Sequence, residues 1–121
     1  MRKKNYKGRC EKKKLKKCKE VCRTYDAIAS GYADVLDNND AVAEIRCNVP
    51  LEGDEVSEYV SDFVCTMVDG DVMVRECVFR RLLTKPMTLK LLDISRDYWK
   101  RRGITNWGIV IDEGENTDEE V

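Results

Sequence analysis

The sequence predicts an α/β fold, a mixed sheet of about four strands flanked by helices, and three observations carry that expectation. An apolar helix stripe precedes a strand, an apolar hairpin closes around Asp69, Gly70 and Asp71, and a second amphipathic helix leads into a short apolar strand. A chain of 121 residues has room for one hydrophobic core and not for two separate domains.

Each element follows in order. Leu15, Cys18, Cys22, Tyr25, Ala29, Tyr32 and Leu36 recur at steps of three and four, the spacing of one helix face, so a helix is expected over 12–36 with a break near Thr24. Asp37, Asn38, Asn39 and Asp40 end it, because their side chains bond their own backbone in turns. A strand is expected over 41–49, stopped at Pro50, and a loop over 51–55. The hairpin strands are 59–68 and 72–79, rich in β-branched and aromatic residues. Thr84, Lys85 and Pro86 open a helix over 86–102 whose stripe is Met87, Leu91, Ile94 and Tyr98, with Gly103 as its cap. The last strand is 107–111. To lie beside the others it must be reached through the preceding helix, so the sheet contains parallel and antiparallel neighbours.

Charge divides the chain into a basic arm with the start of the helix (1–24), a central domain (25–111) and an acidic tail (112–121). The arm holds 12 Lys/Arg against 2 Asp/Glu, and the tail 6 acids with no base. Lys12, Lys13, Lys14, Lys16 and Lys17, together with Arg80 and Arg81, are the candidates for contact with DNA phosphates; the plainer alternative is a solvated helix face. No run approaches the roughly 20 apolar residues of a membrane span, and no apolar signal follows the basic start. The expected location is the cytoplasm, or a host cell's cytoplasm if a mobile element or phage encodes the chain, with no membrane partner. Six cysteines in a reducing compartment are expected as thiols. Zinc on Cys10, Cys18, Cys22 and Cys47 is not expected, because the spacing is not a knuckle and the chain has no histidine. That lack also removes the usual catalytic triads.

The site candidates are Asp62 and Glu76, acids inside otherwise apolar hairpin strands. Convergent carboxylates can hold a divalent cation that activates water against a phosphodiester. Convergence depends on the turn. A two-residue turn at Asp69-Gly70 sets Asp62 opposite Cys77, with the acids on opposite faces; a three-residue turn at Asp69-Gly70-Asp71 sets Asp62 opposite Val78, on a common face. The plainer reading points either acid to solvent, or pairs it with Arg75, Arg80 or Arg81.

The stretch 41–111 resembles the TnsA family, endonuclease partners in heteromeric transposases with a restriction-endonuclease-like fold of the PD-(D/E)XK superfamily. The resemblance rests on Val42-Ala43-Glu44-Ile45-Arg46-Cys47-Asn48-Val49-Pro50-Leu51, on Ser61-Asp62-Phe63, and on Val74-Arg75-Glu76-Cys77-Val78. It rests most on the run from Leu91 through Tyr98-Trp99 and Arg102-Gly103-Ile104 to Trp107-Gly108-Ile109-Val110. It implies Mg²⁺-dependent DNA cleavage during transposition, beside a separate transposase subunit. It also implies a site formed by an acid on the first helix, the second-strand aspartate, and a lysine two positions after an acid or amide on the third strand. Asp62 and Glu76 fall on the strand positions and are the implied metal ligands. The helix acid falls near Ala29, with Asp26 the nearest acid, and the lysine position holds Val78. Valine supplies neither a cation nor a water-orienting donor; Arg80, Arg81 and Lys90 are the nearby bases. Loss of the lysine with retention of the acids equally implies a protein that binds DNA or a partner without cutting.

Overall fold

The computed structural model describes residues 10–52 and 59–112. The expectations for residues 1–9, for positions 53–55 of the loop and for the acidic residues beyond Asp112 lie outside them. The elements are β1 (Glu11–Lys13), β2 (Cys22–Thr24), α1 (Ala27–Asp37), β3 (Val42–Pro50), β4 (Val60–Met67), β5 (Val72–Val78), a 3₁₀ turn (Arg80–Leu82), α2 (Pro86–Arg101) and β6 (Asn106–Ile111). The fold is α/β. Its main sheet has the order β3-β4-β5-β6, antiparallel except for the parallel β5–β6 pair that the α2 crossover produces. No helix among the described residues is long and apolar enough to cross a membrane.

The helix expected over 12–36 is corrected: its first half is an antiparallel hairpin, with Lys13 paired to Cys22 and Glu11 to Thr24. Cys22 and Thr24 are buried while Val21 and Arg23 are exposed, a period of two, so Leu15, Cys18 and Cys22 match a helix face only by coincidence of spacing. Asp26 caps α1 by accepting a hydrogen bond from the Ala29 N–H at 2.8 Å. Asp37, at the far end of α1, accepts from the Lys16 and Lys17 backbone N–H groups at 3.1 and 3.0 Å, which ties the hairpin's connecting loop to the helix. The described part of the basic arm is therefore packed onto the core through Leu15 and Cys22.

The remaining elements follow the sequence closely. Pro86 sits in the first turn of α2. Gly103 takes φ +82° beyond its end, with Gly103 N–H bonded to Lys100 O at 3.0 Å and Ile104 N–H to Trp99 O at 2.9 Å, the paired bonds of a Schellman cap.

Two apolar cores lie on opposite faces of the sheet. Ile45, Phe63, Cys65, Met73 and Cys77 pack with Ala29, Ala33 and Leu36 of α1, and Val64 and Val74 pack with Leu51, Tyr59, Tyr98 and Trp99 on the α2 side. Along β3, Ile45 and Cys47 belong to the α1 core but Val49 to the α2 core. Strict alternation would keep these odd positions on one face. The switch occurs at Asn48, the one non-glycine residue at positive φ (+56°) among the described residues, a conformation asparagine tolerates better than most. Its strand partner region switches too: Phe63 faces α1, whereas Ser61 bonds Trp99 of α2. Asp62 lies at that reversal.

Candidate functional site

The hairpin closes around Val68-Asp69-Gly70. Met67 N–H bonds Asp71 O at 2.8 Å, Gly70 N–H bonds Met67 O at 2.9 Å, and Gly70 adopts φ +95°. Neither register considered from the sequence occurs. Phe63 pairs with Arg75 and Val64 with Val74, and the paired ladder stops one residue short of Asp62 and Glu76.

The β4–β5 ladder ends at Phe63–Arg75, and beyond it the two carboxylates bond the facing backbone. Asp62 N–H donates to Glu76 Oε1 at 3.0 Å, and Cys77 N–H donates to Asp62 Oδ2 at 2.7 Å. Glu76 is 1% exposed. Its Oε2 accepts from the hydroxyls of Ser61 and Ser95, both at 2.6 Å. Each serine in turn accepts an indole N–H, Ser61 from Trp99 at 3.1 Å and Ser95 from Trp107 at 3.0 Å. Two indoles thus orient two hydroxyls onto one carboxylate oxygen, so each polar atom of this buried network has a partner. Burial, reinforced by the nearby Asp62 charge, pushes the Glu76 carboxyl up to about 7, against the opposing pull of its three donors.

Asp62 is oriented differently. It is 6% exposed and lines a small cavity with Asp26, Ala29, Thr24 and Asn48, on the side of α1 and the N-terminal hairpin. Asp26 lines that cavity and also a larger one of about 610 Å³, whose wall includes Glu76, Val78, Tyr25, Tyr59, Arg81, Lys85 and Leu91. The three candidate acids therefore gather at one end of the sheet. Val78 is 9% exposed.

The chain matches no protein-family model and no curated protein. The TnsA-like resemblance accordingly rests on the residues quoted for it.

The basic candidates fall into two groups. Lys12, Lys14 and Lys16 are exposed on the hairpin and its loop. Lys13 is drawn to Asp34 at 3.2 Å and Glu11 at 3.5 Å, and the Lys17 ammonium donates to Asn39 O. Arg80 bonds Asp112 through its backbone N–H and its guanidinium, and this contact holds the Asp112 carboxyl below its ordinary range. Arg81 stacks over Phe79 at 4.7 Å and reaches the larger cavity.

Sequence reasoning missed Ser61, Ser95 and Lys85. The signal available for Ser95 is only its place on the apolar stripe of α2, four residues before Trp99; its indole partner is the distant Trp107, while Trp99 bonds Ser61. Lys85 was read only as part of a helix entry, and the structure sets it, rather than Lys90, on the cavity wall with Glu76.

Proposed function

We propose that the chain is a DNA-binding protein on a restriction-endonuclease-like core, of the kind found in mobile elements, whose acid pair serves the fold and does not cut. The observation that carries this reading is the engagement of Glu76. Both its oxygens accept hydrogen bonds, from Ser61, Ser95 and the Asp62 amide, and its burial favours the protonated form. Mg²⁺ demands a near-octahedral set of oxygens and keeps several waters. A Glu76 carboxyl held by serine hydroxyls from the α2 side and an Asp62 turned toward α1 do not fit that ion. Val78 adds a buried apolar group where the resemblance calls for a lysine.

DNA is the proposed partner because Lys12, Lys14 and Lys16 are exposed on the hairpin and its loop, and Arg81 and Lys85 line the cavity that Asp26 also lines. A transposase subunit is the protein partner that the resemblance proposes.

A second reading, a Mg²⁺-dependent endonuclease, is favoured by one observation: Lys85 and Glu76 line the same cavity, and on that reading Lys85 would supply the cation that Val78 lacks. The tests separate the two. Affinity for a labelled duplex, followed by fluorescence anisotropy between about 50 and about 200 mM salt, is expected to fall steeply. The triple substitution Lys12→Ala, Lys14→Ala, Lys16→Ala is expected to flatten the log–log slope by up to about 3. Supercoiled plasmid with Mg²⁺ or Mn²⁺ is expected to stay intact. Nicking abolished by Asp62→Ala would replace the first reading with the second, and salt-independent or absent DNA binding would remove the first.

A further inference from the structure

Three cysteines far apart in sequence meet where the N-terminal hairpin lies against the sheet. Ile45 N–H bonds Lys17 O at 2.8 Å, and the Asn48 side-chain amide bonds Arg23 O at 2.8 Å, so Cys18 and Cys22 are bracketed against Cys47 of β3. Cys22 is 0% exposed, while Cys18 and Cys47 are half-buried, and all three pack with the α1-side core. The Cys22 thiol beside Cys47, and to a lesser degree the Arg23 backbone N–H and the Cys18 thiol, outweigh the effect of its burial. These donors favour a thiolate, and they hold Cys47 down at about 6, whereas Cys22 is pushed up by its bond to Cys47 and by burial. Cys65, fully buried, is pushed up to about 11 by that burial and serves as an internal contrast.

We propose that Cys47 is a peroxide-reactive thiolate and that Cys22 resolves its oxidised form to a reversible disulfide. The Cys47 thiolate attacks one oxygen of a hydroperoxide. The O–O bond breaks, hydroxide or alkoxide leaves, and a sulfenic acid remains on sulfur. Cys22 then attacks that sulfur, the S–S bond forms, the S–O bond breaks, and the departing hydroxide takes the Cys22 proton as water. Two electrons pass from the two thiols to the peroxide, and a small thiol reductant reverses the change by exchange. The bridge ties β2, in the lysine-bearing hairpin, covalently to β3.

The test uses the full reduced chain, dilute hydrogen peroxide, blocking with N-ethylmaleimide, and peptide mapping after trypsin and Glu-C digestion, which separates Cys47 from Cys65. A Cys22–Cys47 cross-linked peptide that dithiothreitol removes is expected, and Cys22→Ser is expected to leave a dimedone adduct on Cys47. Because substitution in a packed site can disturb folding, the wild-type chain supplies a second readout. Alkylation of Cys47 by iodoacetamide at neutral pH is expected to run at least about tenfold faster than that of Cys65, as thiolate fraction and the full burial of Cys65 together dictate. A Cys18–Cys47 bridge in its place overturns Cys22 as the resolving thiol. Cys47 alkylated no faster than Cys65, or a wild-type chain that peroxide leaves fully reduced, overturns the proposal.

Discussion

Replacing Glu76 with glutamine is expected to change how stability depends on pH. In the folded protein the Glu76 carboxyl is pushed up to about 7 from its ordinary 4.5, chiefly by burial. A raised acid keeps its proton in the fold where the unfolded chain has lost it. Its favourable contribution is therefore fully present below about 4.5, declines as pH rises, and is gone above about 7. A shift of this size is worth roughly 3 to 4 kcal/mol, at about 1.4 kcal/mol for each tenfold change in proton affinity. Glutamine has the same shape and no titration, and the Ser61 and Ser95 hydroxyls can rotate to meet its amide. Any lost hydrogen bond shifts the variant by a constant. The difference in unfolding free energy between wild type and Glu76→Gln is thus expected to move by up to about 3 kcal/mol in the variant's favour from about pH 4.5 to about pH 8. Urea denaturation followed by tryptophan fluorescence measures it, since Trp99 and Trp107 both belong to the network. Parallel wild-type and variant curves across that range would refute the assignment of a buried, proton-holding Glu76.

Two further substitutions probe the frame around the site. Gly103→Ala forces a Cβ onto a residue at φ +82° and is expected to cost about 1–2 kcal/mol by urea denaturation, even though no atom stands in the way of the added methyl; an unchanged midpoint would contradict the cap. Asp37→Asn sets an amide against one of the two N–H groups that the carboxylate accepts, and is expected to cost about 1–3 kcal/mol and to speed amide exchange at Lys16 and Lys17. Unaltered exchange there would show that the loop is held by something else.

Much of the frame was legible because its signals are local. Pro86, Gly103 and the alternating hairpin strands each state a backbone preference within a few residues, and the parallel β5–β6 pair follows from the helix between them. The N-terminal hairpin was not legible, because Leu15, Cys18 and Cys22 satisfy a helical period by accident, and only burial of Cys22 with Thr24 reveals a period of two. At the site, the sequence picked out Asp62 and Glu76 as anomalous acids. Their relation hung on where the turn closes: moving it by one residue, to Val68-Asp69-Gly70, changes every cross-strand pair. The Ser61, Ser95 and Trp99 contacts join residues 15 to 38 positions apart, and no local pattern announces such bonds.

The reversal at Asn48 and Asp62 has a bearing on how the molecule comes apart. Because β3 and β4 each lend side chains to both apolar layers, neither layer owns its strands. Peeling α1 away loosens Cys47 and Phe63, and with them the stretch of backbone that holds Val49 and Ser61 against the other helix. Melting is thereby shared across the sheet. Amide exchange in the middle of β3 and β4 is expected to report one opening event for the whole domain, in place of a separate, lower-energy event for each face.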